Sequence, residues 1–125
     1  MKRIAVLVSG SGSNLQALID AQLQNQLGNG KIVGVLSNKA DAFALTRAQQ
    51  SNIDIAIISH KDFPTRESFD QQMHQQLLDW NIDLVVLAGF MRILSSDFVS
   101  QWQGRMLNIH PSLLPHYKGM HTHQR

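Results

Sequence analysis

Five apolar runs of strand length alternate with segments of helical spacing along the chain. The runs occupy residues 3–8, 32–37, 53–58, 84–88 and 106–110. Between them, apolar residues recur every three or four positions, as they do in amphipathic helices. The helical stripes are Leu15, Leu18, Ile19 and Leu23; Phe43, Leu45 and Ala48 with Arg47; Phe69, Met73, Leu77 and Trp80; and Phe98, Val99 and Trp102. The pattern predicts strands and helices in alternation.

Residues typical of helix ends and turns separate these segments. Ser13 and Asp41 stand where helix N-caps are expected, and Pro64 suits a first helical turn. The glycines within residues 28–30 predict a stop after the first helix. Because the strands are almost continuously apolar, each is expected to be covered on both faces. We therefore predict the α/β class, as a Rossmann-like doubly wound, mainly parallel sheet with helices on both faces.

The length and composition limit the classes of protein that the chain can represent. With 125 residues, 43% of them apolar, a single domain over residues 1–125 is expected. The net charge of +2 is not gathered into a basic run, so nucleic acid is not an expected partner. The first apolar run is too short for a membrane span or a secretory leader, and there is no cysteine. These features favour a cytoplasmic protein.

The loop between the first strand and the first helix is rich in glycine. Residues 9–14 read SGSGSN, which allows a tight turn whose free amides, at the start of a helix, attract an anion such as phosphate. Leu15 occupies the position of the third glycine in the dinucleotide fingerprint, and no Walker lysine follows. NAD and P-loop nucleotides are therefore disfavoured. An ordinary glycine turn without a ligand is the alternative that this loop leaves open.

Two polar residues close the fifth apolar run. Asn108 and His110 lie two positions apart, so a strand would put them on one face and Ile109 on the other. In a parallel sheet, ligands bind beyond the carboxyl ends of the strands, where both groups would project. An amide can stabilise the oxyanion of acyl transfer, and an imidazole can deliver a proton near neutral pH. A hydrogen-bonded pair that merely ends the strand is the alternative.

Several segments together resemble one known family. VLVSGSGSNLQALID, LSNKADAFALTRA, VVLAGFMRILSSDFV and GRMLNIHPSLLP with YKGMHTH resemble, in order and spacing, the phosphoribosylglycinamide formyltransferases over essentially all 125 residues. The resemblance implies an enzyme of purine biosynthesis. It would transfer a formyl group from the cosubstrate 10-formyltetrahydrofolate to the amine of 5'-phosphoribosylglycinamide, so both small molecules are the expected partners.

The resemblance also assigns roles to individual residues. It implies that Gly12, Ser13 and Asn14 bind the phosphoribosyl substrate and that Asn108 and His110 form the catalytic pair. The residues implied to bind folate are Arg66, Met91, Arg92, Ile93, Leu94 and Asn108. Without the resemblance, Arg66 is as well explained as a solvated charge at the start of a helix. Met91, Ile93 and Leu94 could belong to the core, but they follow a buried strand and Gly89 at the edge of the crevice, which favours contact with a ligand, and Arg92 could serve the structure alone.

The chain lacks one member of the family's catalytic set, expected after residues 108–115, which read NIHPSLLP. The family has a catalytic aspartate beyond that segment, whereas Asp97 is the last acidic residue here. The loops that close over the folate and the remaining strands are absent too. We therefore expect an N-terminal portion of a formyltransferase domain that is inactive by itself. An exposed sheet edge would favour pairing with another chain, for example with a second copy to form a homodimer.

Other functions stay open on the sequence alone. His121 and His123 form an HxH motif, but two imidazoles without a carboxylate or thiolate make a poor site, so no metal is expected. The resemblance instead implies that His121 neighbours the active site. The alternative function is a noncatalytic phosphate- or nucleotide-binding module, or another folate-dependent formyltransferase or hydrolase.

Overall fold

The computed structural model describes residues 2–109 and shows five strands alternating with four α-helices. The strands are β1 Lys2–Val8, β2 Gly30–Ser37, β3 Asp54–Ile57, β4 Leu84–Leu87 and β5 Met106–Asn108. The helices are α1 Ser13–Leu23, α2 Phe43–Gln50, α3 Arg66–Asp79 and α4 Ser96–Gln101, and a 3₁₀ turn spans His60–Asp62. The predicted alternation of strands and helices is confirmed.

All five strands form one parallel sheet in the order β3-β2-β1-β4-β5. β1 is central and pairs with β2 on one side and with β4 on the other. The connections from β1 through β2 to β3 lie on one face of the sheet, and those from β3 through β4 to β5 lie on the other, because the chain crosses back over β1 between β3 and β4. The α/β prediction of a doubly wound parallel sheet is therefore confirmed.

The first face of the sheet is covered by α1 and α2. Alternate residues of β1, Ile4, Val6 and Val8, pack there against buried residues of the two helices. The helical members of this cluster are Leu15, Leu18, Ile19, Ala44 and Ala48. Leu23, predicted to continue the α1 stripe, is instead 75% exposed because it ends the helix.

The second face is covered by α3 and α4. The other residues of β1, Ala5 and Leu7, pack against three buried residues of α3 and against Phe98 and Trp102 at α4. The α3 members are Phe69, Met73 and Leu77. Since side chains of a strand alternate between faces, one central strand supplies both halves of the core.

Three predicted helix ends differ from the structure by one residue or more. The N-cap of α1 is Gly12 with φ 81°, and Ser13 is already helical. The N-cap of α2 is Ala42 rather than Asp41. Pro64 precedes α3, whose N-cap is Thr65, and the Thr65 hydroxyl accepts from Ser68 in a capping box. A side-chain cap seen in the sequence thus predicts a helix start only approximately.

Within residues 2–109, no helix is long and apolar enough to cross a membrane. β5 extends to Asn108 in the structure, and His110, which the sequence places at the end of this strand, lies outside the described residues.

Gly34 of β2 lies directly under the indole ring of Trp80, which follows α3. A Cβ at Gly34 would lie 2.5 Å from Trp80 Cε3. The ring packs partly buried against the second core cluster, and the Trp80 backbone is held by a 3.0 Å hydrogen bond from Arg3 Nε to its carbonyl. Only a residue without a side chain permits this contact between the helix end and the sheet.

We expect Gly34→Ala to destabilise the chain by about 1–3 kcal/mol through overpacking against Trp80. Urea unfolding followed by tryptophan fluorescence measures the effect. Gly10→Ala is the matched control, because nothing lies within 4 Å of a Cβ at that position. An equal loss of stability in both variants would contradict the proposed contact.

Candidate functional site

A cleft opens at the carboxyl ends of β1 and β4, the two central strands. It has a volume of about 240 Å³. It is lined by Ser9, Gly10, Ser11, Gly12, Ser13, Asn14, Lys39, Ala88, Gly89 and Met91. The connection after β1 leads to one face of the sheet and the connection after β4 to the other, so the two loops separate here. This is the place where doubly wound sheets bind ligands.

The glycine loop, residues 9–14, leaves the first amides of α1 without a side-chain partner. Gly12 is the N-cap, and no side chain caps this helix. In contrast, Thr65 caps α3 and Ser95 caps α4. The uncapped amides and the positive end of the helix dipole both favour an anion. The structure thus places Gly12, Ser13 and Asn14, predicted to bind the sugar phosphate, on the wall of the cleft.

The glycine loop is held from outside by α2. The amide of Ala44 donates to the Gly10 carbonyl at 3.1 Å, and Arg47 Nε donates to the Ser11 carbonyl at 2.8 Å. Gly12 fits closely against this helix, because a Cβ there would lie 2.6 Å from Ala44 Cα. The positive φ and the close packing both require glycine at this position.

Lys39 is the one cationic side chain among the described residues that line the cleft. Its backbone is fixed at the end of β2, where the Ser37 hydroxyl accepts from the Lys39 amide at 3.0 Å and donates to its carbonyl at 2.8 Å. The sequence interpretation did not assign Lys39. Its position directly after a buried strand was the signal that could have identified it.

The segment after β4 carries exposed apolar side chains, of which Met91 lines the cleft. Met91 is 74% exposed and Ile93 is 72% exposed, whereas Leu94 packs partly against the second core face. The reading of Met91 and Ile93 as core residues is therefore wrong. Large exposed apolar groups beside a cleft are suited to contact a flat ligand ring.

Arg92 and Arg66 are both related in position to Phe69 of α3. The Arg92 guanidinium lies 5.8 Å from the centre of the Phe69 ring, and its buried Nε has no hydrogen-bond partner among residues 2–109. Arg66 is the exposed first residue of α3. It precedes Phe69 by three positions and Asp70 by four, so all three share one face of the helix. Arg66 thus faces the side on which the segment after β4 packs.

Asp70 is a buried carboxylate that the sequence interpretation missed. It is 2% exposed, and its Oδ2 accepts a 2.6 Å hydrogen bond from the Ser95 amide at the start of α4. This bond joins α3 to the end of the segment that carries Met91 and Arg92. An acidic residue on the otherwise apolar stripe of α3 was the signal in the sequence.

Asn108 ends β5 at the same edge of the sheet as the cleft. It pairs with Leu87, and the next amide, of Ile109, donates to the Leu87 carbonyl at 2.9 Å. Ile109 packs toward α1 and α2, so Asn108 lies on the opposite face, with Met106. His110, the predicted proton donor, lies outside the described residues, as does His121. Over residues 2–109, no group of three or more histidine or acidic side chains is arranged to hold a metal ion.

Comparisons with known proteins identify relatives over most of the chain. Phosphoribosylglycinamide formyltransferase of Escherichia coli is 52% identical over 122 residues, which are 98% of this chain and 57% of that protein. The trifunctional purine biosynthetic protein adenosine-3 of Chironomus tentans is 57% identical over 120 residues, which are 95% of this chain and 9% of that protein. The chain therefore spans little more than half of its single-function relative.

Solved structures give the same result. Phosphoribosylglycinamide formyltransferase of Coxiella burnetii, in complex with CHES, superposes with a TM-score of 0.82 at 50% identity, covering 99% of this chain and 58% of that one. The sequence model described as formyl transferase matches residues 2–125. The chain belongs to the formyl transferase family.

Proposed function

We propose that the chain carries the substrate-binding part of a folate-dependent formyltransferase that acts in purine biosynthesis. The reaction transfers a formyl group from 10-formyltetrahydrofolate to the amine of 5'-phosphoribosylglycinamide. The observation that carries the proposal is one cleft lined from one side by the glycine loop and from the other by Gly89 and Met91, beyond adjacent strands of the sheet. Two ligands that enter from these two sides meet where the strands end.

In this proposal the phosphate of the sugar substrate occupies the start of α1. Gly12, Ser13 and Asn14 supply amides and a hydroxyl, and Lys39, which lines the same cleft, supplies a positive charge. A phosphate dianion needs several donors and charge compensation, and a helix start combines both with little rearrangement. The relatives named phosphoribosylglycinamide formyltransferases support a phosphoribosyl ligand at this position.

The folate would bind along the segment after β4. Met91, Ile93 and Leu94 provide apolar contacts for the pterin, and the backbone between them provides hydrogen-bonding groups. Arg92 belongs to this segment, with its guanidinium 5.8 Å from the centre of the Phe69 ring, and Arg66 lies three positions before Phe69 on α3. A cationic group here suits the anionic glutamate tail of a folate. These residues are proposed as the folate contacts.

The proposed chemistry takes place at the end of β5. The substrate amine attacks the formyl carbon, and the carbonyl oxygen takes up the negative charge of a tetrahedral intermediate. Asn108 would donate a hydrogen bond to this oxyanion. Collapse of the intermediate breaks the bond between the formyl carbon and N10 of the folate, His110 would supply the proton that N10 requires, and the proton lost by the amine would pass to solvent. The chain's own side chains then act only as donors, without a covalent bond between enzyme and substrate.

We also propose that residues 1–125 act as one domain, that the protein is cytoplasmic and that it pairs with a second copy. The absence of cysteine from the sequence fits a reducing compartment. Ile57 on β3 and Leu107 on β5, the outer strands in the described part of the sheet, are 46% and 53% exposed. Exposed apolar residues on outer strands favour pairing with another chain.

A noncatalytic phosphate-binding module is the second candidate. It is favoured by the fact that the glycine loop, Lys39 and the cleft lie within residues 2–109 and require no folate. Such a module would bind the sugar phosphate as the enzyme does but would not bind folate. Folate binding therefore separates the two functions.

We expect Lys39→Ala to weaken binding of 5'-phosphoribosylglycinamide about five- to twentyfold, because one positive charge in the phosphate cleft is lost. Isothermal titration calorimetry with the purified chain measures the dissociation constant. Lys31→Ala removes an exposed lysine at the far end of β2 and is the control for net charge. Equal weakening in both variants would show that Lys39 acts only through the overall charge.

We expect the 125-residue chain by itself to turn over at least about 10²-fold more slowly than the Escherichia coli relative. General acid–base groups contribute about 10²–10⁴-fold each, and no carboxylate follows Asp97 to assist His110. A formyl-transfer assay that follows release of tetrahydrofolate measures the rate. Turnover comparable to that of the relative would contradict this expectation, while binding of both ligands without turnover would agree with it.

A further inference from the structure

The hydroxyl of Ser9 connects three loops at the end of the sheet. Ser9 is 3% exposed and follows the last residue of β1. Its Oγ donates to Asn38 Oδ1 at 2.6 Å and accepts from the Met91 amide at 2.8 Å. Asn38 is itself only 2% exposed. One small buried group therefore joins residues that lie 29 and 82 positions away in the sequence.

The three loops joined by Ser9 belong to the two proposed subsites. Ser9 is the first residue of the glycine loop, and Asn38 directly precedes Lys39, so both lie on the sugar-phosphate side. Met91 begins the segment proposed to contact folate. The hydrogen bond from the Met91 amide thus connects the folate side to the buried base of the sugar-phosphate side.

Serine is the residue that this arrangement requires. The hydroxyl must donate and accept at the same time, which alanine cannot do. Threonine would add a methyl group where only 3% of the side chain is exposed. A cysteine thiol is longer and is a weak donor and acceptor, so it would preserve the contacts only in part.

We infer that Ser9 is a positioning residue that couples the two subsites, so that each substrate binds more tightly when the other is present. The inference rests on the proposed function and names a residue that acts without touching either ligand's reacting atoms. A ligand on the glycine loop contacts the turn that begins with Ser9, and the Ser9 hydroxyl connects that turn to the Met91 backbone through one hydrogen bond. The position of the segment that receives the second ligand is thus set together with the loop that receives the first, which couples the two binding free energies.

The test compares wild type, Ser9→Ala and Ser9→Cys by isothermal titration calorimetry. The dissociation constant of 5'-phosphoribosylglycinamide is measured with and without saturating tetrahydrofolate. We expect tetrahydrofolate to tighten sugar-phosphate binding about five- to twentyfold in the wild type, within the usual range of coupling between sites. We expect a factor of about one in Ser9→Ala and an intermediate factor in Ser9→Cys.

A matched control and a second measurement distinguish positioning from general stability. Ser100→Ala removes an exposed hydroxyl from α4 and should keep the full coupling. Amide hydrogen exchange should show faster exchange at Met91 in Ser9→Ala and unchanged exchange there in Ser100→Ala. Should Ser9→Ala fail to fold, the partial coupling in Ser9→Cys and its Met91 exchange rate decide the question.

The outcomes separate this inference from the proposed function. A wild-type chain that fails to bind either ligand would overturn the proposed function and this inference with it. A wild-type chain that binds both ligands without coupling, or a Ser9→Ala variant that keeps the coupling, would overturn the role of Ser9 alone.

Discussion

The pairing of β1 with β2 on one side and β4 on the other is the constraint on which the site depends. β1 is buried on both faces, so its direction and register are fixed by the two halves of the core. The loops that follow β1 and β4 must leave toward opposite faces, which opens the cleft between them. The geometry of such a site is set by β1, the most buried strand of the sheet, rather than by the loops themselves.

The glycine loop shows how that geometry is kept while the amides of α1 remain free. A side-chain cap would satisfy those amides and occupy the place of an anion. Gly12 begins the helix without one, and the loop is held by α2 instead, through Arg47 and the amide of Ala44. The hydrogen bonds that hold the loop are thus made to carbonyl groups on the outside of the turn. The donors on its inner side remain available for a ligand.

The fold and part of the site could be predicted from the sequence because they depend on local patterns. Continuous apolar runs identified the strands, and the glycine spacing identified the loop. Exact helix starts were less predictable, since Ser13 and Asp41 have the composition of caps but Gly12 and Ala42 take that position. The contacts of Ser9 and Asp70 could not be predicted, because they join residues that only the folded sheet brings together.

Asn108, at the end of β5, and Met91, held by Ser9, are the two residues through which these contacts bear on the proposed chemistry. Asn108 is held by backbone pairing with Leu87, and four residues after Leu87 the chain reaches Met91, whose amide is held by Ser9. The proposed oxyanion donor and the proposed pterin wall are therefore both positioned from β4. A shift of β4 relative to β1 would move donor and folate together but would separate both from the glycine loop. Acyl transfer requires the amine and the carbonyl to lie within about 3–3.5 Å of each other. In the proposed site the pairing of β1 with β4 sets this distance, so the chemistry tolerates a change in that pairing least.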